Sequence, residues 1–471
     1  MSSLLWLTEQ SKLCVRPYLN SMKAIKLTAF LDKLLGPRIS VRDNIRQSDV
    51  QAGQEFRRTS APRRFSARIR QHRPLIVDYS EPCVRIEGVS QAAEIVSPFY
   101  EFELFTTSLF AMSATETITL TAPPVPQFTK PKDLVDFSGM TFGDWRDEFH
   151  KNGCVVLKGV ITPERAQYYR EKQIQWLRNF ELGFDENDES TWTAECLPVS
   201  FKGGCVLRSM VSIHSADNYR MYYAYGAPHE KMAWEARTEP KVMEIFEKLW
   251  GTKELLSSFD GMNISLPRRK DLNWSPWPHC DQNPERKGMQ AVQGLLNYAP
   301  NGPKDGGLML MKGSASLFDE FFSEKREAGD HEDAPPPELK YMDLFLFNPK
   351  DLKWFEDRGC EMIKVNMEPG DFVLWDSRTM HYACLPEGDQ IRHVQYICMT
   401  PKKFATDDQL KLKTECFNKY IGTTHWPHCN IRPATEPPMR NGEVCSKNRS
   451  EPFEKPGLTD DVLRLAGLKA Y

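Results

Sequence analysis

The sequence predicts an α+β, mainly β protein: a jelly-roll-like barrel of two sheets with flanking helices. Three observations lead there. From Leu255 onward the chain breaks into short apolar runs, with strand candidates at Leu255 to Leu266, the approach to Trp277, Gln290 to Tyr298, Gly307 to Lys312, Met362 to Val365, Asp371 to Trp375 and Arg392 to Thr400. Turn residues separate them at Asn301-Gly302, Asp305-Gly306-Gly307 and Pro369-Gly370-Asp371, the punctuation of an antiparallel all-β unit. Ahead of Leu255 the apolar residues recur instead at helical spacing, so helices precede and flank the barrel.

The elements follow in order. Residues 1–111 carry little apolar periodicity, and between Arg57 and Arg73 lie seven arginines and no acid, so this stretch is expected to be disordered or a non-native extension. Met1 to Arg42, low in acids, also fits a mitochondrial presequence, and Met112 reads as a protein's own start. Residues 112–134 form a linker or arm holding Pro123, Pro124, Pro126 and Pro131. A folded domain is expected over 135–401, its jelly-roll core at about 255–401, with a helical and loop extension over 402–471 packing on it. Thr141 to His150 is a short helix and Gly153 to Val160 a strand. Thr162 caps a helix that opens on Pro163 and runs to about Phe180. Pro240 to Trp250 places Val242, Ile245, Phe246 and Leu249 on one face and stops at Gly251. Inside the barrel region Ser316 to Glu327 is a helix, and the polar insertion Gly329 to Pro337 a candidate lid. Thr406 caps a helix to Tyr420, and a last helix spans about Thr459 to Ala466.

Composition narrows the function. A net charge of −3 with 40% hydrophobic and 11% aromatic residues describes an ordinary soluble protein with no nucleic-acid footprint. Twelve cysteines are scattered without a Cys-x-x-Cys pair, which reads as reduced thiols in a cytoplasmic protein, with mitochondrial or peroxisomal placement as alternatives. No apolar run reaches the roughly 18 residues a membrane helix needs. A small-molecule substrate is expected, with no nucleic-acid, membrane or protein partner.

The chemistry centres on Trp277-Pro278-His279-Cys280-Asp281. On an extended strand, residues i and i+2 leave the backbone on the same side, so His279 and Asp281 can occupy adjacent positions of one octahedral ion. His381 offers the third ligand of a facial set of two histidines and one carboxylate, which holds non-haem Fe(II) and leaves positions open. It follows the strand Asp371 to Trp375, and in an antiparallel jelly roll strands far apart in sequence face each other across the barrel. Arg392, eleven residues after His381, matches the distal carboxylate of 2-oxoglutarate, because a guanidinium meets a carboxylate with two parallel hydrogen bonds and does not deprotonate. Two other clusters compete poorly. Trp426-Pro427-His428-Cys429 repeats the motif but puts Asn430 where the acid would be, and with Cys416 and His425 it fits no structural zinc spacing. Asp330-His331-Glu332-Asp333 lies in the polar insertion and reads as solvated.

These segments, together with Gln293-Gly294-Leu295-Leu296-Asn297, Asp305-Gly306-Gly307-Leu308 and Lys312-Gly313-Ser314, resemble the phytanoyl-CoA dioxygenase-like group of Fe(II)/2-oxoglutarate oxygenases over about Val135 to Pro401. The resemblance implies a double-stranded β-helix of the cupin-like kind, with His279, Asp281 and His381 as iron ligands and Arg392 as the 2-oxoglutarate anchor. It also implies O₂ as the oxidant and release of succinate and CO₂. The chain departs at Ala315, where the group commonly has a histidine after Gly-Ser. Gln293 and Asn297 are further candidates for cofactor binding, and Trp375 and Tyr382 for the substrate pocket. A carboxylate at Asp281 argues for hydroxylation, desaturation or ring chemistry over halogen transfer. The competing classes are a non-catalytic jelly-roll scaffold and a metal cupin that works without a cosubstrate. The substrate is not legible: Arg268-Arg269-Lys270 is the nearest basic cluster and reads as a solvated turn.

Overall fold

The computed structural model describes residues 139–200, 221–269, 276–327 and 342–471, positions 131, 134, 136 and 137, and three short strands further upstream. The chain divides into two units, 1–121 and 122–471, the division falling within the proline-bearing stretch. In the first unit β1 (Arg64–Arg68), β2 (Pro74–Asp78) and β3 (Arg85–Ile86) form an antiparallel sheet. Strands therefore stand where part of the arginine-rich stretch was expected to lack structure. The expectations for the rest of 1–111, and for the lid and the acidic cluster at 330–333, lie outside the described residues.

The second unit opens with α1 (Trp145–Asn152), β4 (Cys154–Leu157) and α2 (Pro163–Arg178). α1 starts four residues later than its apolar pattern suggests. The Asp147 carboxylate ties the Phe142 and Gly143 N–H groups into a turn, at 2.7 and 2.8 Å, and Asp144 caps the helix. Thr162 caps α2 as its sequence predicts. β5 (Met221–Tyr222), α3 (Lys231–Arg237) and α4 (Pro240–Trp250) follow, α4 ending on Gly251 in the left-handed region. The run Leu255 to Leu266 is not one strand but two, β6 (Leu255–Ser257) and β7 (Met262–Ser265), because Asp260 folds its carboxylate back onto the Gly261 N–H at 2.8 Å and breaks the ladder.

The next strands are β8 (His279–Cys280), β9 (Val292–Asn297), β10 (Gly307–Lys312), β11 (Phe345–Leu346), β12 (Glu361–Lys364), β13 (Phe372–Asp376), β14 (His381–Cys384), β15 (Arg392–Tyr396) and β16 (Met399–Pro401), and a short pair, β17 (Met439–Arg440) and β18 (Glu443–Val444), lies in the C-terminal extension. α5 (Phe318–Glu327) and α6 (Pro349–Glu356) lie between them. α6 was not expected, although Asn348-Pro349-Lys350-Asp351 spells a capping box whose two side chains bond reciprocally. Two antiparallel sheets result, in the orders β11-β8-β14-β10-β12 and β4-β13-β9-β15-β7-β5. Leu308 and Leu310 from the first and Leu295, Val373, Trp375 and Val394 from the second close one apolar layer between them. This is the jelly-roll core that the strand spacing predicts. The outer face of the six-stranded sheet packs against α2 and α4 through Phe372, Leu296 and Leu374. Gly294 is required there: a Cβ would collide with the Phe372 ring and lie 2.6 Å from the Ile397 carbonyl.

The C-terminal extension packs on this core. α7 (Asp407–Asn418) and α8 (Asp460–Leu465) contribute Cys416, Phe417, Val462 and Leu465 to the same cluster as α2 and α4. The Glu230 carboxylate, buried at the start of α3, accepts the Phe453 and Glu454 N–H groups at 2.7 and 2.9 Å. On α7, Lys413 is 2% exposed, donates to the Ser257 carbonyl, lies 4.0 Å from the Phe259 ring centre and has no ion pair among the described residues. Burial, helped by Arg237, pushes its pKa down to about 7 from 10.5. Between those values the unfolded chain binds the extra proton, so this group contributes stability that grows as pH rises from about 7 to about 10.5. We expect Lys413→Met to raise stability at pH 7 by about 1–4 kcal/mol and to flatten the rise of Tm between pH 7 and 10. A lower Tm for the variant across that range counts against an unpaired buried charge.

Candidate metal centre

β8 and β14 are neighbours in one sheet, and their only register pair is His279 opposite His381. The two histidines therefore meet side by side within the five-stranded sheet, not across the barrel as the sequence reading held. Period-two alternation turns both inward, where Leu310, the partner of His381 on β10, joins the inter-sheet core. Asp281 stands just past β8, its N–H held by the Ser377 carbonyl at 2.9 Å.

The three side chains converge. His381 Nε2 lies 3.1 Å and His279 Nε2 3.7 Å from Asp281 Oδ2, and ligand atoms from all three fall within 4.8 Å of one another. An octahedron with bonds of about 2.1 Å has edges of about 3 Å, so these spacings suit one ion. Each imidazole also has its tautomer set from behind. The Nδ1–H of His279 donates to the Trp277 carbonyl at 3.1 Å and that of His381 to the Thr379 carbonyl at 2.9 Å, which leaves both Nε2 lone pairs facing the cluster. Trp277 stacks on His279 with ring centres 3.8 Å apart. Burial foremost, and then His381, pushes the His279 pKa down to about 3, so its ring is neutral, the form that binds a metal. Burial alone would raise the Asp281 carboxyl, but His425, His279 and His381 together hold it well below the usual carboxylate range.

Gln293, on the facing sheet, donates from Nε2 to Asp281 Oδ2 at 2.9 Å. Trp375 lies opposite Gln293 across the β9–β13 ladder, its ring centre 5.6 Å from that of His381 and its indole N–H without a partner among the described residues. Two expectations need correction. Asn297 spends both amide hydrogens on the Ala299 and Glu368 carbonyls, at 2.6 and 3.0 Å, and braces a turn where a cofactor contact was expected. Tyr382 pairs with Met309 on the face of β14 opposite to His381, so it does not line the pocket.

Arg392 projects from β15 into the space between the sheets and is 3% exposed. It donates to Asn263 Oδ1 at 2.9 Å and to the Tyr396 hydroxyl. Gly307 makes room for it, since a Cβ there would stand 2.7 Å from Arg392 Nε. No carboxylate among the described residues pairs with this guanidinium. A buried cation without a counter-ion is costly, and the distal carboxylate of 2-oxoglutarate would supply one. Both the donor set and the orphaned cation thus fit the groups implied for this fold.

Other residues near the centre escaped the sequence reading. His425 and Asp260 come within electrostatic reach of one another, and His425 also of Asp281 and His279. Tyr223 hydrogen-bonds the Asp260 carboxylate. The second Trp-Pro-His-Cys forms no metal cluster: His428 bonds Thr400 Oγ1, Cys429 bonds Arg286, and the Arg286 guanidinium lies 4.6 Å from the Trp426 ring centre. At the departure from the family pattern, Ala315 is buried, and Gly153 makes room for its methyl, since a Cβ on Gly153 would lie 2.8 Å from it.

Two histidines and one carboxylate, buried at the edge of a two-sheet antiparallel barrel with a lone guanidinium in its depth, define a non-haem iron oxygenase of the 2-oxoglutarate-dependent class. Residues 223–394 match the family model described as phytanoyl-CoA dioxygenase. The chain belongs to that family, and it is an Fe(II)- and 2-oxoglutarate-dependent dioxygenase. It is 57% identical over 295 residues to the Ava biosynthesis cluster protein O of Aspergillus versicolor, covering 62% of this chain and 89% of that one. To a putative phytanoyl-CoA dioxygenase of Dictyostelium discoideum it is 20% identical over 293 residues, 54% of this chain and 74% of the other. Among solved structures, EctD from S. alaskensis with 2-oxoglutarate and 5-hydroxyectoine aligns over 57% of this chain and 78% of its own, at 15% identity and a TM-score of 0.37.

The Gln293 contact generates a test. Removing the donor in Gln293→Leu should weaken Fe(II) or Co(II) binding about 10- to 100-fold with the fold retained, measured by metal titration. Unchanged affinity would mean that Gln293 does not orient Asp281.

Proposed function

We propose that this enzyme hydroxylates an unactivated C–H of a small or medium-sized organic substrate, with release of succinate and CO₂. The convergence of His279, Asp281 and His381 carries the reading, and we assign all three to iron. Arg392 is assigned to the distal carboxylate of 2-oxoglutarate, Gln293 to orienting Asp281, and Trp375 to the dry wall beside His381. Iron with 2-oxoglutarate supplies the oxidising power for the C–H bond when both are bound. The chain's own part is placement. Two imidazole nitrogens and an ionised carboxylate present three donors on one side, the guanidinium fixes the cosubstrate's far end, and the apolar layer of Leu295, Leu308, Leu310 and Val394 excludes water.

The carboxylate at Asp281 favours hydroxylation, desaturation or ring chemistry over halogen transfer. The named relative from a biosynthesis cluster favours a tailoring step on a small biosynthetic product. We take 135–401 as the catalytic domain, with 402–471 built onto it, and a cytoplasmic setting, which agrees with nine described cysteines that are all free thiols. No helix among the described residues is long and apolar enough to cross a membrane. Arg392, buried and without a carboxylate partner among the described residues, speaks for a cosubstrate, and so against a cupin that works without one or a scaffold that has lost turnover.

Asp281→Ala and His381→Ala should each abolish substrate-stimulated succinate formation across a metabolite library, and normal turnover by either removes the assignment. Arg392→Ala should cost about 3 to 5 kcal/mol of 2-oxoglutarate binding, and an unchanged affinity would place the anchor elsewhere.

A further inference from the structure

The segment that carries His279 and Asp281 begins with an indole. Trp277 lies two residues before His279, and the alternation that sets His279 and Asp281 on one side of the chain sets Trp277 there as well. Cys280 turns the other way, into the apolar cluster of Phe318, Phe345 and Phe347. The Trp277 ring lies flat on the His279 imidazole, with ring centres 3.8 Å apart and planes 9° from parallel. The carbonyl of the same residue is the partner of His279 Nδ1 at 3.1 Å. The two contacts fix different freedoms: the hydrogen bond sets which way the imidazole points within its plane, and the stack sets the plane itself. Pro278 stiffens the link between them, its φ limited by the ring and its carbonyl held by the Phe347 N–H at 2.8 Å.

The chain carries its own control. Trp426-Pro427-His428-Cys429 repeats the tetrapeptide, yet there the two rings meet edge to face, with centres 5.8 Å apart and planes 65° from parallel. His428 Nδ1 pairs with Thr400 Oγ1 at 3.0 Å and not with the Trp426 carbonyl. The flat stack is therefore not a property of the local sequence. It occurs where the imidazole belongs to the cluster of His279, Asp281 and His381. Burial also increases along this segment, from exposed Pro276 through half-buried Trp277 to His279, which is 5% exposed. The indole thus stands on the solvent side of the imidazole it covers.

We propose that Trp277 is a positioning residue of this dioxygenase: its indole holds the plane of His279 so that Nε2 points at the metal, and it screens that ligand from water, which slows loss of the ion. This rests on the iron assignment of the preceding section. The test uses the full chain with Co(II) as the probe ion and compares the wild type with Trp277→Leu and with Trp277→Phe, which keeps a ring to stack. Both variants retain the backbone carbonyl, so the hydrogen bond to Nδ1 is common to all three. Trp277→Leu should bind Co(II) about threefold to tenfold more weakly, release it to a chelator faster by a similar factor and change the visible Co(II) absorption, with Trp277→Phe close to wild type. A Trp277→Leu variant whose metal-free form melts at a lower temperature but whose Co(II) spectrum and release rate match the wild type shows a merely structural ring and overturns the proposal. Equal affinity, release rate and spectrum in all three overturn it as well. A wild type that binds no Co(II) removes the iron assignment itself, and this proposal with it.

Discussion

The site depends on one pairing, that of β8 with β14, which sets His279 opposite His381. Both strands are short, β8 being two residues long, so the pairing is not secured by ladder hydrogen bonds alone. It is held by what surrounds it. β11 covers the other edge of β8, the Phe347 N–H bonds the Pro278 carbonyl at 2.8 Å, and Ser377 takes the Asp281 N–H and bonds the Gln282 side chain. These contacts reach the metal-binding segment from two separate parts of the sequence, 345–347 and Ser377. A buried carboxylate between two imidazoles is tolerable because both rings and Gln293 face it, and without those neighbours its desolvation would dominate.

The two sheets divide the labour. The five-stranded sheet supplies both histidines, and the six-stranded sheet supplies Gln293, Trp375 and Arg392. Substrate chemistry is thereby confined to the gap between two rigid layers, where packing keeps the reacting groups in register. The extension after β16 packs on the same domain, anchored through Glu230 and through the Phe417 and Leu465 contacts.

Much of this was legible in local chemistry. Thr162 and Thr406 announce their helices because a hydroxyl that accepts an orphan N–H is a local event, and both cap as expected. The His-x-Asp pair reads correctly as one-sided because strand geometry is local too. Three kinds of feature were hidden. Two-residue strands such as β8 and β11 show no alternation to detect. Which strands become neighbours is decided by topology, so His381 was placed across the barrel when it lies beside His279. Long-range approach leaves no mark either: nothing near His425 signals that it would arrive at Asp281, and its motif's missing acid pointed away from the site. For α6 the Asn348 capping box is a local signal, set amid turn residues that read as loop.

The central claim is that this chain holds iron through His279, Asp281 and His381 and chelates 2-oxoglutarate on the same ion. Anaerobic titration of the iron-loaded protein with 2-oxoglutarate measures it most directly. The account predicts a saturable visible charge-transfer band in the wild type that Asp281→Ala loses. A wild type that binds iron yet develops no such band, or an Asp281→Ala variant that retains it, would contradict the account.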